Sequence, residues 1–156
     1  MPDVGGPYVN LAAICERVLQ EGDGSLSLIR VIDRFVVSSV GPDVPTTMPP
    51  QTLQLTIVVS LRPGQAVGRY NVTLRPETPS GQQLDAIDLP VNFEGGADRG
   101  VNLIVRTDFV AELEGLYWFD VLLDGSTLLT RVPVRVLYQP QRTAGAGPRA
   151  EGSDDG

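Results

Sequence analysis

Gln51-Thr52-Leu53-Gln54-Leu55-Thr56-Ile57-Val58-Val59-Ser60-Leu61-Arg62 is the stretch that decides the fold class. Leu53, Leu55, Ile57, Val59 and Leu61 recur at every second position, separated by Gln54, Thr56, Val58 and Ser60. Only an extended strand sends alternate side chains to opposite faces, so a period of two reads as a strand with one buried face. The pattern returns in Tyr70, Val72 and Leu74, in Val101, Leu103 and Val105, and in Val132, Val134, Val136 and Tyr138. Between these runs the chain is rich in Pro and Gly: 41–51 reads as a long loop holding Pro42, Pro45, Pro49 and Pro50, and 76–90 as another, with a turn at Pro79-Ser80-Gly81. The sum predicts an all-β domain, a two-sheet antiparallel β-sandwich of immunoglobulin-like or C2-like type with about eight strands.

Two turns set hairpins. Asp124-Gly125 lies between Val121-Leu122-Leu123 and Leu128-Leu129, and the Asp-Gly pair accepts the positive φ of a tight reversal, so strands 115–123 and 127–138 pair. Pro133 has no ladder donor, which makes the last strand an edge or bulged at that point. Glu21-Gly22-Asp23-Gly24 supplies the other reversal. The segment ahead of it is ambiguous. Leu11, Ile14, Cys15, Val18 and Leu19 have helical spacing, whereas Val9, Leu11, Ala13 and Cys15 alternate as a strand. The tight turn and the β-rich Leu28–Ile32 run that follow favour a hairpin, and strand is the reading taken.

Length and composition bound the chemistry. The 156 residues make about one domain, placed at 1–138, with 139–156 expected to be a disordered tail of Gly, Ala, Ser, Asp, Arg and Pro. There is no histidine, and all twelve basic residues are arginine. Ser-His-Asp and Cys-His catalysis, a lysine Schiff base and a P-loop lysine are therefore excluded. One cysteine forms no intrachain disulfide and no thiolate zinc site. A net charge of −7 argues against nucleic acid or an anionic membrane as partner. No stretch approaches the roughly 18 apolar residues of a membrane span, and the expectation is a cytoplasmic protein.

Leu11-Ala12-Ala13-Ile14-Cys15-Glu16, Asp23-Gly24-Ser25-Leu26-Ser27-Leu28-Ile29 and Ile32-Asp33-Arg34-Phe35 open the chain, and Gly115-Leu116-Tyr117-Trp118-Phe119-Asp120-Val121-Leu122-Leu123-Asp124-Gly125 running on to Arg131-Val132-Pro133 closes it. These segments resemble a family of small bacterial proteins of unknown function, over roughly residues 8–138. The resemblance implies a compact β-sandwich with a first-strand hairpin. It implies no characterised activity and transfers no catalytic, cofactor-binding or metal-binding residue.

Candidate sites follow from position. Cys15 sits among Leu11, Ala13 and Ile14 and reads as a buried, inert thiol. Glu21, Asp23, Asp98 and Asp124 fall in turns, so a calcium- or small-ligand-binding module using these loop carboxylates is the alternative reading, although no D-x-D-x-D-G run is present. Asp85 and Asp88 read as solvated turn carboxylates, and the Gly-rich 94–100 segment as a strand connection. Arg131 and Arg135 share a face with Pro133, as do Arg69 and Arg75 elsewhere, either as a solvated edge or as a site for an acidic peptide. The best lead is Trp118. With Tyr117, Phe119, Val121 and Leu123 on one face of its strand, Leu116, Trp118 and Leu122 form a second apolar set that something must cover. The loop 41–51, the N-terminal segment, a second copy in a homodimer or a different protein could do so. The expected function is a non-catalytic protein-interaction or structural module with no cofactor.

Overall fold

A computed structural model describes residues 5–96 and 98–142. Its strands are β1 (Tyr8–Gln20), β2 (Leu26–Val31), β3 (Arg34–Gly41), β4 (Gln51–Arg62), β5 (Gly68–Glu77), β6 (Ile87–Phe93), β7 (Val101–Ala111), β8 (Gly115–Leu123) and β9 (Thr127–Arg142). They form a β-sandwich: a four-stranded sheet ordered β2-β1-β4-β7 and a five-stranded sheet ordered β3-β9-β8-β5-β6. The alternating residues read from the sequence face each other across the sandwich. Leu55, Ile57, Val59 and Leu61 of β4 meet Val72 and Leu74 of β5, Tyr117, Phe119 and Val121 of β8, and Val132, Val134 and Val136 of β9. Phe109 of β7 packs edge-on against Tyr117 and Phe119, with ring centroids 5.2 and 5.4 Å apart.

The ambiguous first segment is a strand. Its first half pairs with β4 and its second half with β2, so one long strand joins the sheet to a hairpin. Gly24 closes that turn at φ 88°, and Asp23 caps it by accepting the Ser25 backbone N–H at 2.9 Å. The Asp124-Gly125 turn takes φ of 50° and 75°, as a tight reversal between right-twisted strands requires.

Several expectations need correction. Among the described residues there are nine strands rather than about eight: β6 begins inside the stretch read as a loop, where Pro90 is tolerated because β6 is a sheet edge. One pairing is parallel. The chain leaves β2 at the rim of one sheet, crosses through Ile32-Asp33 and enters the other sheet as β3, running alongside β9 in the same direction. That pairing extends β9, since Ser38 to Gly41 pair with Gln139 to Arg142, so the expected tail loses residues 139–142 to the sheet. Residues 143–156 lie outside the described residues. β9 is an edge only in its first part. Arg135 donates its backbone N–H to Asp33 at 3.0 Å, and Pro133, two residues earlier, turns its nitrogen to the same side ahead of the point where β3 arrives. The bulge in this hairpin falls between Val121 and Leu122, away from Pro133. The loop 41–51, one of the expected covers for Trp118, is anchored at the core and at Tyr138. Met48, 4% exposed, enters the main core, and Tyr138 anchors the loop by donating its hydroxyl to the Pro45 carbonyl at 2.7 Å.

Candidate functional site

Strand register assembles the outer face of the five-stranded sheet row by row. Arg34, Arg135 and Leu116 form one row across β3, β9 and β8; Pro133, Trp118 and Glu77 form the next; Arg131, Asp120 and Arg75 form a third. Val36 lies opposite Leu137, beyond the first row. The tryptophan and four arginines, scattered through the sequence from Arg34 to Arg135, thus share one surface.

Asp120 organises its centre. It is 5% exposed, accepts from Arg131 Nε at 2.7 Å and pairs with Arg75 at 3.4 Å. Arg131 also bonds Glu77, and its guanidinium lies 4.6 Å from the centre of the Trp118 ring. The Asp120 bond, aided by Glu77, holds that guanidinium protonated more firmly than usual. A buried charge is tolerated when paired and hydrogen-bonded in this way. Arg75 Nε is buried and has no hydrogen-bond partner among the described residues. Beside the cluster, Asp88 is exposed, as expected, but stands on β6 rather than in a turn, where it accepts from the Thr73 hydroxyl at 2.7 Å and from the Asn71 amide at 3.3 Å.

The predicted apolar trio divides. Leu122 is 4% exposed and is not available for contact, being paired between Thr73 and Leu128 beside the bulge. Leu116 and Trp118 remain half-buried, with Arg131 over the indole. Open residues farther along the same face were missed in the sequence: Val36 of β3 is 49% exposed and Leu137 opposite it half-exposed, with Val40, 65% exposed, two rows beyond them. β3 carries too short an alternation to announce a face, and only its parallel pairing with β9 brings Val36 to this surface. Arg135 has no ion-pair partner among the described residues, whereas Arg34 meets Asp33 at 3.6 Å.

The loop carboxylates do not converge. Asp23 and Asp98 line one cleft of about 800 Å³ with Glu94, Arg62 and Arg99. Glu21 instead lies near the Ser27 hydroxyl, and Asp124 accepts the Asn71 backbone N–H at 2.9 Å. Among the described residues no three His, Cys, Asp or Glu side chains are grouped to hold a metal ion. The Gly-rich connection is a turn closed by an Arg99–Glu94 ion pair of 3.0 Å, and Gly100 sits so close to the Leu61 carbonyl that a Cβ would collide with it. Cys15 is 1% exposed, and burial pushes its thiol above the ordinary value.

A second cleft, of about 680 Å³, opens between the sheets beside β7, floored by Leu74, Phe109 and Tyr117 and rimmed by Asp85, Asp108 and Glu112. Tyr117 is its one phenol, and that group is occupied. Its hydroxyl donates to the Leu113 carbonyl at 2.7 Å and accepts the Leu113 N–H at 3.1 Å, while burial raises its pKa.

Against known proteins, the model of a family of unknown function, DUF6941, matches residues 10–137. The chain belongs to that family. The match spans both anchor segments and the strands between them. No curated protein matches the chain in sequence. Among solved structures, the CARDB domain of the PF1109 protein from Pyrococcus furiosus, determined in complex with di-metal ions, is similar at 11% identity and a TM-score of 0.43, over 86% of this chain and 96% of that one. No helix among the described residues is long and apolar enough to cross a membrane.

Proposed function

We propose that this domain is a non-catalytic binding module whose contact surface is the outer face of the five-stranded sheet. The observation that carries the reading is the half-buried Trp118, with Leu116 and Arg135 in the next row, exposed Val36 in the row beyond, and no ion-pair partner for Arg135 among the described residues. Tryptophan and arginine are the residues that most often dominate binding energy, and here they stand on strands rather than on loops. The chain is acidic overall, yet Arg34, Arg75, Arg131 and Arg135 concentrate on this face. The chemistry fits a protein partner that offers an apolar segment bordered by carboxylates, which a free guanidinium engages through two parallel hydrogen bonds. The tethered Tyr117 hydroxyl and the buried Cys15 thiol are the nucleophile candidates of the core, and neither is poised for reaction.

The test is affinity capture from lysate of the source cells with wild type, Trp118→Arg and Arg135→Glu as baits. A protein retained by wild type and lost by both variants, each still folded by circular dichroism, is the expected result. Equal capture by all three baits overturns the reading.

A further inference from the structure

We propose that β7 is a self-association edge, which pairs antiparallel with β7 of a second copy about a two-fold axis at Thr107 and joins two four-stranded sheets into one of eight strands. The four sheet edges differ in how they are guarded. β6 carries Pro90 and the charged Asp88, β2 has only six residues and is kinked by Arg30 at φ 54°, and β3 has eight residues. β7 has eleven residues with no Pro or Gly, and its register with β4 runs unbroken from Leu61↔Val101 to Gln51↔Ala111. No described strand bonds its far side. A long, regular, unpaired strand is the template another chain adds to.

The side chains choose the partner. Register with β4 puts Asn102, Ile104, Arg106, Asp108 and Val110 on the outer face of the sheet, with Leu103, Val105, Thr107 and Phe109 facing the core. A two-fold axis perpendicular to the sheet keeps outer residues opposite outer residues, so it must pass through a residue. Centred on Thr107, it sets Arg106 opposite Asp108 of the other copy twice, and Ile104 opposite the 52%-exposed Val110 twice. Core-facing Val105 then meets Phe109. Centring on Arg106 or Asp108 places like charges face to face, and centring on Val105 sets Ile104 against Arg106. Charges on an edge ordinarily discourage pairing, but opposite charges two residues apart flanking the axis favour one register of self-pairing and disfavour its neighbours. Trp118 itself lies on the other sheet, although Arg34 and Val36 of β3 line one cleft with Arg106, Thr107 and Asp108.

Light scattering after size exclusion tests this on the full chain. Wild type at high micromolar concentration is expected at twice the 16.7 kDa chain mass. Arg106→Asp and Asp108→Arg, which set like charges opposite one another, should each fall to one chain mass, as should Val110→Lys. The double exchange Arg106→Asp/Asp108→Arg should restore the dimer. Trp118→Arg should leave the mass unchanged. A wild type of one chain mass overturns the proposal, as does a dimer that survives both single charge changes, or a double exchange that is folded by circular dichroism yet monomeric. A dimer lost in Trp118→Arg but kept in the β7 variants moves self-association to the other face and equally overturns it.

Discussion

The two sheets treat the apolar residues on their outer faces in different ways. On the four-stranded sheet, Val58 points away from the sandwich core yet is fully buried, because it packs in a second cluster with Cys15, Val18 and Ile104, under Leu26 and Leu28 of the β1–β2 hairpin. On the five-stranded sheet, Trp118 stays half-exposed with the Arg131 guanidinium over its ring, and Val36 and Val40 are open. An apolar residue outside a sandwich core is therefore part of the folding energy in one case and part of the surface in the other. The deciding difference is chain connectivity. β1 runs beyond its pairing with β4 and returns as β2, which supplies a cover, whereas β8 returns directly as its sheet neighbour β9 through Asp124-Gly125-Ser126, a connection too short to fold over Trp118.

Substitutions should break or sharpen this contrast. The largest effect is expected for Val58→Asp, which buries an unpaired carboxylate in a position with no exposure and should cost about 4 kcal/mol or more, abolishing a cooperative urea transition. Asp120→Ala comes next. It strands Arg75 and Arg131 around an emptied site and should cost about 2 kcal/mol of unfolding free energy, read as a lowered urea midpoint, the scale of hydrogen bonds to a charged group. Retention of full stability in that variant would make the cluster an ornament of the surface rather than its frame.

The pH dependence of stability reports on both sides of the four-stranded sheet. Burial raises the Cys15 thiol above its ordinary value of 9.0 and the Tyr117 phenol above 10.0. The folded chain keeps both protons where the unfolded chain has released them. Stability should be full below these ordinary values and decline as pH rises through them toward the folded values. Chemical denaturation from neutral to alkaline pH should show that decline, flattened in part by Tyr117→Phe and in part by Cys15→Ala. The smallest effect is expected for Trp118→Arg, with a change in unfolding free energy within about 1 kcal/mol, since the ring is half-exposed and stands outside the core. A loss as large as that of Val58→Asp would make Trp118 a folding residue and remove the contrast.

Legibility followed periodicity. The strands with a long two-residue period, β4, β5, β7, β8 and β9, and both tight turns were readable because burial of one face imposes the pattern directly. β6 was hidden by Pro90 and by a length of seven residues. The candidate surface was half legible. Leu116 and Trp118 followed from alternation along β8, but Leu122 on the same alternation is 4% exposed and is no contact residue. Val36, Val40 and Leu137 had no local signal.

Alternation, turn chemistry and composition determined the all-β class, the buried face of each long strand, the fate of Cys15 and the absence of histidine and lysine chemistry. These are properties of single segments, set by side-chain direction and residue inventory. The tertiary structure alone decided that β3 crosses to lie parallel beside β9, that Asp120 gathers Arg75 and Arg131, that the turn carboxylates stay apart, and which outer apolar residues are covered. Those outcomes depend on strand order and register between segments distant in the chain, and a period of two along one strand is blind to which strand comes to lie beside it.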